Sequence, residues 1–505
     1  MRGPHNIWRL IRTGATFERS GAMRVALDAL EAPRGLRIAA RVLGWPFTWL
    51  GLKGDPSQPP VLRALTALGP AYIKFGQLLS TRPDLVGEEL ANELRVLQDR
   101  LPPFARATAI AEVERELGIK LDDVFSEFSE PIAAASLAQV HKAVLRETGE
   151  VVAVKVLRPR IERAFLRDVD AFHLAAWMVS VIAPQARRLR PREVVKHFEG
   201  VVLAELDLRT EGSAGDEFAE NTAKDEGFRV PKLHWALSAR RVMTSEWADG
   251  VPLGDVEALA ATGYDAHEFA TRIIQLFLRQ ALRDGLFHGD MHQGNLKRGD
   301  NGDLIAYDFG IMGRIDPYTR RVYAEILMGF LHKDYRRTAE AHFEAGYVPA
   351  DRDIDEFAQA LRAVAAPIFG QNSTQISIGR LLAHLFEVTE RFGMEARTEL
   401  ILLQRTMVVV EGVARSLDPT LNIWDAARPV VESYIRDSLG PRAILRDLGK
   451  TMRVMSRFGP HLPKLAEQLL QKAAQPAPPP RPSGLHLWLV LALGLAAGVG
   501  LGALL

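Results

Sequence analysis

Cysteine is absent from all 505 residues, which excludes disulfides, thiolate catalysis and cysteine-ligated metals. An excess of charge of either sign is missing too. Lys and Arg number 63 against 62 Asp and Glu, so no global field draws the chain to nucleic acid. No repeat at solenoid spacing stands out. The N-terminus has no apolar core of signal-peptide length and alternates arginine with apolar residues. Residues 1–60 read as helical or loose. A frayed, solvated segment is the simpler expectation, and a membrane-surface helix through Trp8, Leu10, Ile11 and Phe17 is the alternative.

Two short phrases carry the chemistry. HGDMHQGN, from His288 to Asn295, puts Asp290 five residues ahead of Asn295, and YDFG puts Asp308 just before Phe309-Gly310. Phosphoryl transfer from ATP needs one carboxylate to orient or deprotonate the acceptor. It also needs an amide and a second carboxylate to hold Mg2+ against the phosphates. Protein-kinase-like enzymes carry these groups in this order.

Such a site also needs a lysine on a strand upstream. Val151-Val152-Ala153-Val154-Lys155-Val156 supplies it: a β-branched, apolar run with one ammonium. Lysine is costly to bury without an anionic partner, so this one asks for phosphate and a carboxylate. Glycine is missing just before it. A protein kinase carries GxGxxG there, so that backbone N–H groups can close over phosphate. Here Ala133, Ala134, Ala135 and Ser136 occupy the loop. The alanine methyls are expected to change how nucleotide is gripped, the alternative being that Ala133 to Ala135 are simply small packing residues.

These features together resemble the UbiB (aarF-domain) atypical kinases, associated with ubiquinone biosynthesis and membrane lipid homeostasis. The AAAS loop is Ala133–Ser136, KxGQ is Lys74-Phe75-Gly76-Gln77 followed by LLSTRPDL, and ExD is Glu205-Leu206-Asp207. Gln293 departs from the family's HPGN loop. The resemblance implies an α+β fold: an atypical protein-kinase-like, two-lobed body with an N-terminal helical extension. It implies ATP and Mg2+ as cofactors, with Asp290 and Lys155 catalytic and Asn295 and Asp308 on the metal. Nucleotide would contact Ala133 to Ser136, Lys155 and the hinge-like run Glu246, Trp247 and Ala248. Lys74 and Gln77 would cover the place where a protein kinase accepts a peptide, with Glu205 and Asp207 touching that segment or the metal. The partner of Lys155 would be a carboxylate on the helix carrying ExD, Glu211 first and Glu205 second.

Leu485 to Leu505 carries no charged residue. Some twenty apolar residues at about 1.5 Å each cross the ~30 Å hydrocarbon layer, so the run reads as a transmembrane helix. Gly494, Gly498 and Gly502 form a double GxxxG, a face on which two copies would dimerise. Eight basic residues between Arg442 and Arg481 precede the span and none follows it. The positive-inside rule then puts the catalytic domain in the cytoplasm on a single-pass inner-membrane anchor. Relatives by resemblance often have two spans, whereas one fits here.

The expected division is 1–60, helical or loose; 61–125, helical with KxGQ; 126–246, the small lobe with a helical pair; 247–440, the helical large lobe; 441–483, a basic, proline-rich linker; and 484–505, the membrane helix. The expected function is a membrane-anchored ATPase or atypical kinase that handles lipid-like quinone precursors. Its expected partners are membrane lipids, ubiquinone-biosynthesis proteins and a second copy of the chain, not nucleic acid.

Overall fold

The computed structural model describes residues 5–29, 45–80, 86–94, 97, 103–135, 137–182, 190–369, 388, 391–394 and 398–439. The chain divides into two compact units, 1–434 and 435–505, and the site lies in the first.

Residues 5–29 are not frayed. They form α1 (His5–Ser20) and α2 (Ala22–Ala29), because the inner face of α1 finds protein to cover it. Ala15 and Thr16 are buried, the Thr13 hydroxyl lies 2.6 Å from the Tyr72 hydroxyl, and Arg9 pairs with Asp168. Ile7 and Trp8 remain exposed. After α3 (Pro60–Leu68) comes α4 (Pro70–Ser80), which carries the KxGQ residues, followed by α5 (Glu88–Leu94), α6 (Arg106–Leu117) and α7 (Leu121–Val124). The signature glycine is steric. A Cβ on Gly76 would stand 2.5 Å from Leu97 Cδ1 and 2.7 Å from Leu65 Cδ1, closer than packed atoms allow.

β-Branched residues concentrate next, and the chain forms β1 (Phe125–Ala134), β2 (Ala138–Leu145) and β3 (Val151–Leu157). In β3 the buried Val152, Val154 and Val156 alternate with half-buried Val151, Ala153 and Lys155, the period of two that a strand imposes. The valines pack on Val113, Phe125 and Phe128. β4 (Phe228–Arg229) is short, and β5 (Val242–Glu246) completes an antiparallel sheet in the order β1-β2-β3-β5, with Met243 opposite Lys155.

Among the described residues three α-helices, not the expected pair, separate β3 from β5: α8 (Ile161–Ile182), α9 (Pro191–Glu205) and α10 (Leu208–Thr222). The extra break falls inside ExD. Asp207 takes extended backbone and its carboxylate accepts the Arg209 N–H at 3.1 Å, capping α10. Glu205 and Glu211 therefore stand on different helices, which corrects the single helix expected to carry both. Phe172 and Phe198, on α8 and α9, pack around Tyr72 and Phe75 of α4, with ring centroids 4.8 Å apart for Tyr72–Phe172 and 5.1 Å for Phe75–Phe198. Such edge contacts add about 0.5–1.5 kcal/mol each beyond burial.

The lower part begins with β6 (Val251–Pro252), α11 (Val256–Ala261) and α12 (Ala266–Arg279). Asp265 caps α12 by accepting the Glu268 N–H at 2.9 Å, an acid–x–x–Glu start signal. β7 (Leu286–His288), β8 (Leu296–Arg298), β9 (Leu304–Ala306) and β10 (Met312–Arg314) follow. They make a β4-β9-β8-β6 sheet and a β7–β10 pair. α13 (Pro317–Leu331), α14 (Tyr335–Glu344), α15 (Ile354–Phe369), α16 (Thr398–Leu417) and α17 (Ile423–Leu439) complete the described helices. α16 shares a core with α12 through Leu403, Val410, Ile273 and Phe277.

Among the described residues no helix is long and apolar enough to cross a membrane. The 441–483 linker and the 484–505 run, with its GxxxG glycines, lie outside the described residues.

Candidate active site

The strand period turns Lys155 off the valine core, and its ammonium meets carboxylates from two other segments. Nζ lies 2.6 Å from Glu211 Oε1 on α10 and 3.7 Å from Asp308 Oδ2. Burial works against the lysine charge, but Asp308 and Glu211 outweigh it and raise the pKa above the ordinary lysine value. The same ammonium holds the Asp308 carboxyl below the usual carboxylate range, aided by the Gly310 N–H, which donates to Oδ1 at 3.0 Å. Burial pushes the Glu211 carboxyl up, and Lys155 pulls it back.

His288 is buried, which holds its pKa below the ordinary histidine value. Its Nδ1 accepts the Asp290 N–H at 3.0 Å. Asn295 Nδ2 donates to the Asp290 carbonyl at 3.0 Å and to Asp290 Oδ2 at 3.3 Å. That commits the amide nitrogen and leaves the amide oxygen, a hard donor of the kind Mg2+ takes beside a carboxylate and phosphate oxygens. Asp290 and Asp308 line one cavity and Asn295 does not, though its hydrogen bonds tie it to Asp290. The Asn295 and Asp308 side-chain oxygens are of the type such an ion takes.

Phe309 fixes Asp308 from behind. Its ring stands 5.6 Å from Phe218 on α10 and 5.7 Å from His288. Gly215 makes room for it, since a Cβ there would meet Phe309 Cδ2 at 2.8 Å.

A cavity of about 950 Å³ takes in Lys155, Glu211, Asp290 and Asp308, and also Lys74, Glu205 and Asp207. Lys74 Nζ lies 2.9 Å from Glu205 Oε1, so the second candidate partner of Lys155 pairs with the KxGQ lysine instead. Gln77 does not line the cavity; its Nε2 donates to the Leu97 carbonyl at 3.1 Å. The Asp207 carboxylate is taken by Arg209, whose Nε donates to Oδ1 at 2.9 Å.

Of the alanine loop, Ala133 and Ala134 end β1, Ala135 lines the cavity and donates its N–H to the Ala138 carbonyl at 2.8 Å, and Ser136 lies outside the described residues. Along the hinge-like run, the Glu246 N–H donates to the Lys232 carbonyl at 2.8 Å and the Trp247 N–H to the Val151 carbonyl at 3.0 Å. The Glu246 carboxylate pairs with Arg229. Among the described residues no acceptor meets the Ala248 N–H.

Three residues here were not legible in the sequence. Arg158 pins the alanine loop, donating from Nε and Nη2 to the Ala135 carbonyl at 3.2 and 3.0 Å. Lys297 Nζ donates to the Ala248 carbonyl at 2.7 Å and lies 5.1 Å from the Trp247 ring. Thr406, on α16, donates to the Gly289 carbonyl at 3.0 Å. Each joins segments remote in sequence, and only Lys297, two residues beyond Asn295, had a local cue.

Two family descriptions match the chain: the ABC1 atypical kinase-like domain over residues 96–342 and the UbiB helical domain over 361–422. A protein of Xanthomonas oryzae pv. oryzae (strain MAFF 311018) named "Probable protein kinase UbiB" is 40% identical over 468 residues, covering 90% of this chain and 84% of the relative. The chain belongs to the UbiB family. A second UbiB relative, from Xanthomonas euvesicatoria pv. vesicatoria (strain 85-10), is 39% identical over the same shares of the two chains. Among solved structures, the Rv3197–erythromycin complex from Mycobacterium tuberculosis resembles the chain with a TM-score of 0.51 at 25% identity. The likeness covers 70% of this chain and 90% of that one. The fold is thus the mixed helix-and-sheet, atypical kinase-like fold, with the cavity residues inside the ABC1 match except for Lys74 and, on α16, Glu399.

Proposed function

We propose that this UbiB-family member is a phosphoryl-transfer enzyme that uses ATP with Mg2+. The observation that carries the reading is the Lys155 ammonium, 2.6 Å from Glu211 and 3.7 Å from Asp308, on a cavity that also takes in Asp290. Lys155 would hold the phosphates, Asn295 and Asp308 the metal, and Asp290 the attacking nucleophile. Bound Mg2+ would supply neutralisation of the charge that develops on the transferred group. The chain's own part is to keep these groups preorganised, so that little reorganisation is needed as charge develops.

The Lys74–Glu205 pair shares that cavity. The acceptor in this reading is water or a small lipid-like molecule rather than a protein serine. The apolar run Leu485–Leu505 would anchor the chain in the inner membrane with the catalytic body in the cytoplasm. ATP turnover there would drive the handling of quinone precursors for ubiquinone biosynthesis. The test is phosphate release by the full chain, with and without anionic vesicles and a phenolic precursor mimic, with Asp308→Asn as the blank. Turnover that rises with lipid or phenol and vanishes in the variant supports the reading. Equal precursor handling by wild type and variant sinks the coupling.

A second reading follows from the relatives' name, "Probable protein kinase UbiB": transfer to a protein or lipid acceptor. Labelled phosphate on a defined acceptor would favour it. Nucleotide binding with no turnover under any condition would favour a non-catalytic switch.

A further inference from the structure

The catalytic loop is held at two points, Gly289 and Gln293, by one helix that lies outside the kinase-like match. Thr406 of α16 is buried, and its Oγ1 shares its one proton between the Gly289 carbonyl at 3.0 Å and the Leu402 carbonyl at 2.8 Å. Gly289 immediately precedes Asp290. Its N–H donates to the Ile311 carbonyl at 2.8 Å, so the residue beside Asp290 is gripped from two sides.

Ten residues further on, about 15 Å along the helix axis, Ser416 Oγ donates to the Val413 carbonyl at 2.7 Å and accepts Gln293 Nε2 at 2.6 Å. The far end of the loop has a separate hold: the Tyr307 hydroxyl donates to the Gly294 carbonyl. In its first turn α16 also brings Glu399 to the cavity. The loop belongs to the 96–342 match and its support to the 361–422 match.

We propose that α16 is the positioning element of the catalytic loop, with Thr406 setting where Asp290 stands and Ser416 steadying Gln293. Without the Thr406 hydroxyl, the buried Gly289 carbonyl loses its side-chain partner, and the peptide must shift to find another. The Asn295 end keeps its Tyr307 hold, so the displacement falls mainly on Asp290. The geometry stands on its own; its effect on turnover rests on the phosphoryl-transfer reading.

The test is hydrogen–deuterium exchange on the full chain in detergent micelles, with ATP turnover and nucleotide affinity measured on the same samples. Thr406→Val is expected to speed exchange of the 288–295 amides by about tenfold, with no comparable rise elsewhere. It should cut turnover on the order of tenfold while nucleotide affinity stays within about twofold, because a misplaced Asp290 slows the step after binding. Thr406→Ser, which keeps the hydroxyl, should match wild type in both readouts. Ser416→Ala should loosen the 293–295 amides alone. Unchanged loop exchange in Thr406→Val overturns the proposal. So does equal loosening by valine and serine, or loosening spread over the whole chain. A loop-confined contrast in a wild type that never turns over supports the clamp and overturns the phosphoryl-transfer reading instead.

Discussion

Two lysine–glutamate pairs face one cavity. Lys155–Glu211 closes to 2.6 Å with side chains 20% and 11% exposed, and Lys74–Glu205 to 2.9 Å with 16% and 15%. Distance and burial barely separate them. What sets the first apart is Asp308, 3.7 Å from Lys155, whose charge together with that of Glu211 overcomes the burial cost of the ammonium. The second joins the KxGQ helix of the extension to the end of α9. In the proposed phosphoryl-transfer reading, the ammonium with two carboxylate partners is the one that would hold phosphate, and the lysine that joins the extension to the core would be a strut. The chemistry of each lysine therefore follows from the segments its partners come from.

The largest expected effect comes from removing the third partner. Asp308→Asn takes away the proposed metal ligand and the carboxylate that balances Lys155, and turnover should fall by a factor on the order of 10²–10³. Steady-state phosphate release checks this, and loss of only a few-fold would place the charge requirement elsewhere.

Acid separates the site from its surroundings. Burial pushes the His342 pKa down to about 4 from an ordinary 6.5. A histidine depressed in the folded state contributes stability that is complete above the unfolded value and is lost as pH falls from 6.5 toward 4. Urea titrations over that window should show a loss approaching about 3 kcal/mol, with a flatter profile in His342→Phe. Asp308 stays ionised throughout, since Lys155 holds its carboxyl below the usual 3.8, whereas burial raises Glu211, so as pH falls Lys155 keeps its Asp308 contact longer than its Glu211 one.

Glu211→Gln sharpens the comparison from inside the first pair. It removes the nearer charge partner of Lys155, and turnover should fall by about tenfold through misplacement of the ammonium. Smallest is Lys74→Ala, expected to cost about 1 kcal/mol of stability by leaving Glu205 without that cation. Thermal unfolding would detect it as a shift of a few degrees.

Much of the site was legible because phosphoryl transfer fixes residue types and short spacings. Lys155, Asp290, Asn295 and Asp308 announce themselves within their own segments. The alternation of β3 was equally readable, and so was the helical character of the KxGQ stretch. The break at Asp207 was not, since Glu205, Asp207 and Glu211 fit one helix by spacing, and only the Asp207 cap on the Arg209 N–H divides it. Residues 5–29 misled for a related reason: an amphipathic pattern does not say whether water, lipid or Tyr72 covers its apolar face. Lys74–Glu205 and Thr406–Gly289 join residues more than a hundred positions apart, where no local pattern reaches.

The central claim is that of two similar pairs, Lys155–Glu211 does the chemistry and Lys74–Glu205 braces the extension. Its most direct test is Mg2+-dependent ATP hydrolysis by Lys155→Met and Lys74→Met, each in the full chain, measured side by side. The account predicts a loss of at least about a hundredfold in the first and a change within about tenfold in the second. Equal rates in the two variants, or the larger loss in Lys74→Met, would contradict it.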